Sequence, residues 1–556
     1  VTPQNLGASN NAHDSETSPA QLFAAQILAS FAKLGVRQVF LAPGARSQAL
    51  AIAAGQLAAD GRIDLHVHLD ERSLGFHALG SALGSGEPAI VITTSGTAVA
   101  NLHPSVLEAS HSGVPMILLT ADRPAELRGV GANQTTEQVG IFGSAVRECF
   151  DVPAPTAADT TEAGLRKVSD LAAQAVSIAL GWAPTTPQNA AGASDELLRP
   201  GPVQLNLAFR EPLSAIAPNA ANLKVSVALP EKVSTAPRFA VLSASVPTIV
   251  LAGAGAGEPA VEFAESYGLP LLAEPSSGAR YGSNAVVHYR ALLAEPAPVV
   301  GEIGRVVVFG KPTLGRAALA LLRRPDVEVV VVRSQTMGHF DVTRRAIAQV
   351  DELVFDDEVD FEWLAKWRLA DASVVSGEAA GALNRANIVR EVWAATTGED
   401  DLVLGASRMI READAMAPAK AIRIFANRGL AGIDGTIATA AGIALHNPEG
   451  ITRVLLGDLT LLHDAGSLAG DALGSQARNL QVIVVNDGGG SIFESLEMAA
   501  QLEATDFDRL FRTPQKVDIW GLAGAYGWAH TLVSNLNDLR TALASQGRII
   551  IEIDLR

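Results

Sequence analysis

Residues 453–464 read RVLLGDLTLLHD. A short apolar run stops at Gly457 and Asp458, which reads as a strand with a polar end. The next β-branched run, LQVIVVNDGGG at 480–490, stops the same way at Asp487 and three glycines. Two acids therefore stand on neighbouring strand ends, with a helix and loop between them. That placement matters because open parallel α/β sheets bind ligands at the carboxyl ends of their strands.

The same alternation of short β-branched runs and Ala/Leu-rich helical stretches extends outward over the whole chain, the pattern of parallel sheets covered by helices on both faces. In the first third the strands read VRQVFLAPG (36–44), IDLHVHL (63–69), AIVITTSGT (89–97), PMILLTADR (115–123) and GPVQLNLAF (201–209). In the middle they read PTIVLAGAGAG (247–257), LPLLAEP (269–275), RVVVFGKPTLGR (305–316), VEVVVV (327–332) and ELVFDD (352–357). The last third offers LVLGAS (402–407), IRIFANRG (422–429), RVLLGDLT, LQVIVVNDGGG and RIIIEID (548–554). The expectation is an α/β protein of three doubly wound parallel-sheet domains, at 19–212, 220–370 and 385–556. A Pro/Ala/polar loop at 183–202 precedes the last strand of the first domain, a linker lies near 370–384, and residues 1–18 read as a disordered polar lead-in.

Composition narrows the function. The 556 residues, 48% hydrophobic and 18% charged, describe a soluble globular chain, and no apolar run nears the roughly 18 residues of a membrane span. The lead-in lacks the apolar core of a signal peptide. One cysteine, Cys149, excludes an intramolecular disulfide framework and fits a reducing cytoplasm. The net charge of −17 opposes nucleic-acid binding and makes any arginine cluster informative.

Asp458 and Asp487 supply oxygen ligands of the kind that Mg2+ takes beside phosphate oxygens, and Gly488, Gly489 and Gly490 let backbone approach a diphosphate closely. Two turn-forming acids would look the same. Upstream, HVHLDERSLGF (66–76) sets Asp70 and Glu71 before Leu74, Ala78, Leu79, Ala82 and Leu83, spaced for one helical face. Acidic groups at a helix start are favoured in any case.

The GDL and ND motifs, some 30 residues apart, resemble the diphosphate–metal motif of thiamine-diphosphate (ThDP) enzymes. The resemblance implies pyrimidine-binding, central Rossmann-like and diphosphate-binding domains. It implies cofactor contacts at Gly457, Asp458, Leu459, Asp487 and Gly489, with Asp458, Asp487 and Gly489 holding Mg2+ or Mn2+. It also gives Glu71 a partner: a glutamate at this place hydrogen-bonds the aminopyrimidine of ThDP and drives its shift to the imino tautomer, which takes the thiazolium proton.

A closer resemblance is to the 2-succinyl-5-enolpyruvyl-6-hydroxy-3-cyclohexene-1-carboxylate (SEPHCHC) synthase family of menaquinone biosynthesis. It rests on APGARSQAL, HLDERSLGFHALG, TTSGTAVANLHPSVLEA, LTADRPAEL, GANQTTEQVGIFG, ANRGLAGIDGTIATAAG and GDLTLLHD. That family decarboxylates 2-oxoglutarate on ThDP and adds the product to isochorismate, so its site must hold several carboxylates, a task suited to arginine. By this resemblance Arg46, Arg123, Arg411 and Arg428 form a substrate clamp, and Gln134, Ser407 and Asn133 hydrogen-bond substrate. Ile433 props the cofactor, Ile492 and Phe493 line the cavity, and Arg316 in GKPTLGR reaches the site. The superfamily builds this site between subunits, which implies a homodimer or homotetramer.

Two departures stand out. PGARS puts Ala45 where the family has serine, and Asp487 replaces the more frequent asparagine, adding a negative charge. In the central region LAGAGAG, with Glu274 lying 21 residues after Gly253, imitates a dinucleotide fingerprint, but Glu258 stands where the third glycine belongs. This domain reads as a nucleotide-free relic. Two other readings stay open: a ThDP carboligase acting on pyruvate, and a non-catalytic module holding a nucleotide diphosphate.

Overall fold

Runs such as AIVI (89–92) and MILL (116–119) are apolar at every position, so they demand a sheet covered on both faces. The computed structural model builds three such sheets; it describes residues 18–182, 199–213, 219–232, 236–334, 336–338, 340–358, 360–374, 381–470 and 479–556. The expected lead-in up to residue 17, most of the 183–202 loop and residues 375–380 of the expected linker lie outside the described residues.

The first sheet contains β1 (Gln38–Leu41), β2 (Asp64–Val67), β3 (Ala89–Thr93), β4 (Met116–Asp122), β5 (Cys149–Val152) and β6 (Pro202–Ala208), in the order β2-β1-β3-β4-β6-β5. After β7 (Phe239–Leu242), a central sheet is formed by β8 (Thr248–Ala252), β9 (Leu271–Ala273), β10 (Arg305–Phe309), β11 (Glu328–Val332) and β12 (Ala346–Val350), ordered β12-β11-β10-β8-β9. β13 (Glu352–Phe355) pairs separately with β7. The third sheet holds β14 (Asp401–Leu404), β15 (Arg423–Phe425), β16 (Thr452–Gly457), β17 (Leu480–Asn486), β18 (Ala529–Val533) and β19 (Arg548–Asp554), ordered β15-β14-β16-β17-β19-β18. Among the described residues the strands of these sheets pair in parallel throughout. Alternate residues of one strand feed opposite cores: Ile117 and Leu119 of β4 face one cluster, Met116 and Leu118 the other.

The first and third sheets share one strand order, so each residue following a strand in one has a counterpart in the other. Glu71 after β2 corresponds to Arg428 after β15, Arg46 after β1 to Ser407 after β14, and Arg123 after β4 to Asp487 after β17. The helices that follow β2 and β15, Glu71–Ser85 and Thr436–Ala444, are counterparts as well, and they pack on each other. Their approach depends on missing side chains. A Cβ at Gly80 would fall 2.0 Å from the Thr439 carbonyl oxygen, and one at Gly442 would fall 2.1 Å from that of His77.

This contact corrects the expectation of a single buried face on the first helix. Every residue from Ser73 to Ala82 is buried, because the sheet takes one side and the partner helix the other. Two boundaries also shift. Ser18, counted with the lead-in, caps helix Pro19–Lys33 by accepting the Gln21 amide (3.2 Å). Residues 370–373, expected in the linker, continue helix Phe361–Ser373, which Trp363 and Trp367 anchor in the central core.

Adding a methyl at the helix contact should be costly. Gly80→Ala is expected to lower stability by about 1–3 kcal/mol through overpacking. Gly55→Ala, in an exposed helix interior with open space around it, should instead raise stability by up to about 1 kcal/mol. Chemical denaturation of both variants checks the contrast.

Candidate active site

Strand β16 ends at Gly457, and Asp458 opens the short helix Asp458–His463 directly after it. Asp458 is buried, and burial together with the neighbouring Asp487 charge pushes its carboxyl up to about 6. Asp487, after β17, is also buried, but its Oδ2 receives Arg385 Nε (3.0 Å) and Nη2 (2.7 Å) and the Ser491 hydroxyl (2.6 Å). Gly488 (φ +78°) and Gly489 (φ +125°) adopt backbone that favours glycine. A Cβ on Gly489 would meet the Arg512 carbonyl oxygen at 2.3 Å. Two repelling carboxylates beside a bare-backbone loop form a donor set that a divalent cation and a diphosphate would complete. Among the described residues no cluster of three or more His, Cys, Asp or Glu side chains forms a separate metal site.

Ser407 starts helix Arg408–Met416 at φ +144°, and its carbonyl accepts Arg411 Nη1 (2.7 Å). Burial and the positive charges of Arg428 and Arg290 lower the Arg411 pKa. Arg428 is buried; its Nη2 donates to Thr313 Oγ1 (2.6 Å), and burial lowers its pKa too. The backbone just after it is held from two directions. Glu108, on helix His103–Ser112, accepts the amides of Gly429 (2.7 Å) and Leu430 (2.8 Å), while Lys311 Nζ donates to the Gly429 carbonyl (2.9 Å). Ile433 lies half-buried farther along the same loop.

Glu108 and Lys311 were not named from the sequence, although both lie in quoted motifs. The signal for Glu108 was a carboxylate between Val106 and Ala109 on a buried helix face. In GKPTLGR the basic side chain that touches this loop is Lys311. Arg316, expected to reach the site, is largely exposed and pairs with Glu497 (2.8 Å). Ile492 and Phe493 are half-buried beyond the glycine loop, with the Phe493 ring 5.7 Å from that of Phe511.

At the first sheet, Asp70 caps the helix, accepting the Arg72 amide (3.0 Å) and the Ser73 hydroxyl (2.8 Å). Glu71 is the first helical residue, so the acid pair divides its tasks. The Glu71 carboxylate has no hydrogen bond or ion pair among the described residues. Arg46 is buried, donates to the Phe209 carbonyl (2.9 Å) and leaves Nε without a partner. Its pKa falls through burial and the nearby charge of Arg123. Arg123 donates to the Asn133 carbonyl (2.7 Å). Gln134 sits at φ +56°, with its Nε2 on the Ser95 carbonyl (2.9 Å). Of the five non-glycine residues with positive φ among those described, two are thus the polar candidates Gln134 and Ser407, and strained backbone of this kind gathers at functional sites.

The candidates therefore form two groups. Arg46, Arg123, Asn133 and Gln134 crown the first sheet; Asp458, Asp487, Ser407, Arg411 and Arg428 crown the third. Among the described residues no hydrogen bond or ion pair joins Glu71, Arg46 or Arg123 to the second group. Glu108 is the residue through which the first sheet grips the Arg428 loop, so Glu108→Ala, which strips two amides of their acceptor, should cost about 1–3 kcal/mol for each donor left unsatisfied. Hydrogen exchange should then quicken at Gly429 and Leu430.

Residues 23–141 match the family model described as Thiamine pyrophosphate enzyme, N-terminal TPP binding domain. The chain is 45% identical to the SEPHCHC synthase of Leifsonia xyli subsp. xyli over 97% of both chains, and 42% identical to that of Kineococcus radiotolerans over 97% of this chain and 96% of the relative. Against the synthase of Arthrobacter sp. identity is 44%, over 93% of this chain and 86% of the relative. The chain belongs to the 2-succinyl-5-enolpyruvyl-6-hydroxy-3-cyclohexene-1-carboxylate synthase family.

Proposed function

We propose that this chain decarboxylates 2-oxoglutarate with ThDP and a divalent cation, Mg2+ or Mn2+, and joins the remaining succinyl unit to isochorismate by 1,4-addition. The products are SEPHCHC and CO2, in the cytoplasm, on the route to menaquinone. The observation that carries this reading is the near end-to-end likeness to synthases of that name. The buried carboxylate pair and the left-handed glycine loop after β17 support its cofactor half.

ThDP supplies, when bound, the electron sink that decarboxylation of a 2-oxo acid needs. Asp458, Asp487 and the Gly489 carbonyl would hold the cation, and Gly457, Leu459 and Ile433 would contact the cofactor. Glu71 would hold a proton for the aminopyrimidine of the bound cofactor, a task for which a carboxylate unengaged by its own chain among the described residues is suited. Arg46, Arg123, Arg411 and Arg428 grip substrate carboxylates, aided by Gln134 and Ser407. Asn133, Arg316, Ile492 and Phe493 line the substrate's path. The arginine pairs gain from this, since an anion relieves the repulsion between buried guanidinium groups. By the superfamily's pattern the working site is assembled between subunits of a homodimer or homotetramer, with Glu71 from one and Asp458 from the other; the two groups crown different sheets, which is compatible with that assembly.

Glu71→Gln should retain the fold and lose on the order of 10²–10⁴ in kcat, as removal of a proton-transfer group does. Loss of isochorismate absorbance, followed with ThDP, Mg2+ and 2-oxoglutarate present, measures this. Full activity in the variant would remove Glu71 from the chemistry; turnover with pyruvate but not 2-oxoglutarate would overturn the substrate assignment.

A second expectation concerns assembly. Glu71→Gln and Asp458→Asn should each be inactive alone, yet regain part of the activity when mixed and allowed to exchange subunits, because a mixed dimer holds one intact site. No recovery between exchanging subunits would place both residues in a site made by one chain.

A further inference from the structure

Glu274 is the acid that completes the false dinucleotide fingerprint of the central sheet. Its surroundings point elsewhere. The approach that Gly253 permits is already taken by the chain itself: a Cβ there would lie 2.0 Å from the nitrogen of Pro312, and Ala254 bridges to Lys311. Glu274, directly after β9, is 1% exposed, and one carboxylate oxygen accepts the Leu314 amide (2.7 Å). The Lys311–Leu314 segment that it secures is one of those that touch the third unit, and it reaches the Arg428 loop. Thr313 Oγ1 receives Arg428 Nη2 (2.6 Å), and Lys311 Nζ reaches the Gly429 carbonyl (2.9 Å).

Arg428 needs such support. Its Nε is buried with no partner among the described residues, so one hydrogen bond, to Thr313, aims the guanidinium. The opposite oxygen of Glu274, Oε2, is likewise buried without a partner. Asp414 faces the same interior, its carboxylate accepting the Tyr289 hydroxyl (2.5 Å) and its backbone carbonyl accepting Arg280 Nη2 (3.3 Å). Burial and the Asp414 charge push the Glu274 carboxyl up to about 8, against the favourable pull of the Leu314 amide and of Arg428. Near neutral pH it is therefore mostly a neutral acceptor.

We propose that Glu274 is a positioning residue for Arg428, acting through the Lys311–Leu314 segment, so that the central sheet aims a substrate-binding guanidinium of the third. This rests on the reading of Arg428 as a carboxylate clamp. The role is distinct from charge neutralisation: what Glu274 provides is an acceptor oxygen at a fixed place, and Thr313 passes that placement on.

The test compares Arg428→Gln, Thr313→Val, Glu274→Ala and Glu274→Gln as full chains with ThDP and Mg2+, measuring kcat and the KM of both 2-oxoglutarate and isochorismate. Thr313→Val and Glu274→Ala are expected to raise, by about tenfold, the KM of whichever substrate Arg428→Gln affects, the size of a lost hydrogen bond to a charged group. Their kcat should stay within about twofold, since no group acting only in the transition state is removed. Glu274→Gln, which keeps an acceptor oxygen, should restore a wild-type KM. Wild-type KM values in Thr313→Val and Glu274→Ala, beside a raised one in Arg428→Gln, would overturn the positioning role and leave the clamp intact. An unchanged KM in Arg428→Gln would overturn the clamp and the inference with it. If Glu274→Ala fails to fold, Thr313→Val decides, because it removes only the acceptor hydroxyl.

Discussion

Helices Glu71–Ser85 and Thr436–Ala444 touch backbone to backbone at Gly80 and Gly442, and much of the structure is arranged by that contact. Close approach of two helices needs small residues where they cross, and here each helix supplies one against the other's carbonyl. The contact continues into the loop before the second helix, where a Cβ on Gly435 would fall 1.9 Å from the ring of Phe76. That loop carries Arg428 and Ile433. Setting the helices together therefore also sets the loop, and Glu108 and Lys311 then fix its backbone from opposite sides. Two sheets of one topology meet through their corresponding helices, and the residues at their strand ends inherit their positions from that meeting.

The electrostatics run against the composition. A chain of net charge −17 gathers Arg46 with Arg123 at one sheet and Arg411 with Arg428 and Arg290 at another. Burial disfavours a guanidinium charge and lowers the pKa values of Arg46, Arg411 and Arg428, and neighbouring like charge adds to this at Arg46 and Arg411. Buried acids offset part of the cost at the third sheet: Glu108 and Asp414 raise the pKa of Arg428. The remainder is positive charge held ready in rigid surroundings, a state that favours anions bearing more than one carboxylate.

The parts of the fold that were legible in the sequence are those buried on both faces. β3, β4, β6 and β17 have no exposed residue, so their composition alone marks them. β5, β7, β12 and β18 were not anticipated, and each is a partly exposed strand at a sheet edge or in the two-stranded pair; polar residues interrupt the apolar run in β5, β12 and β18, and β7 is only four residues long. The site divides in the same way. Asp458, Asp487 and the arginines stand at strand ends and announce themselves. Glu108 and Lys311 act on backbone donors and acceptors across domains, and no spacing within one segment encodes that. Glu274 was visible only as the acid of a failed fingerprint and was given no role, because that pattern describes a βαβ turn and not what fills the turn; here Lys311 and Pro312 do.

Asp487 shows how a local departure is absorbed. Taken alone, a carboxylate in place of an amide adds a charge beside Asp458, and the raised Asp458 pKa registers that repulsion. Yet Arg385 contacts the Asp487 Oδ2 with two nitrogens and lies at the start of helix Arg385–Ala395, in the same third-sheet unit. Fork-like pairing of this kind is directional and strong, and with only 7% of the Asp487 side chain exposed it is screened little by solvent. Ser491 adds a hydroxyl to the same oxygen, and no donor among the described residues takes Oδ1. The residue thus keeps one acceptor oxygen free while a guanidinium neutralises its charge, which brings it closer in electrostatic effect to the amide it replaces than its chemical formula suggests. A substitution that looks like a change of ligand charge is, with Arg385 counted, largely a change in how that ligand is held.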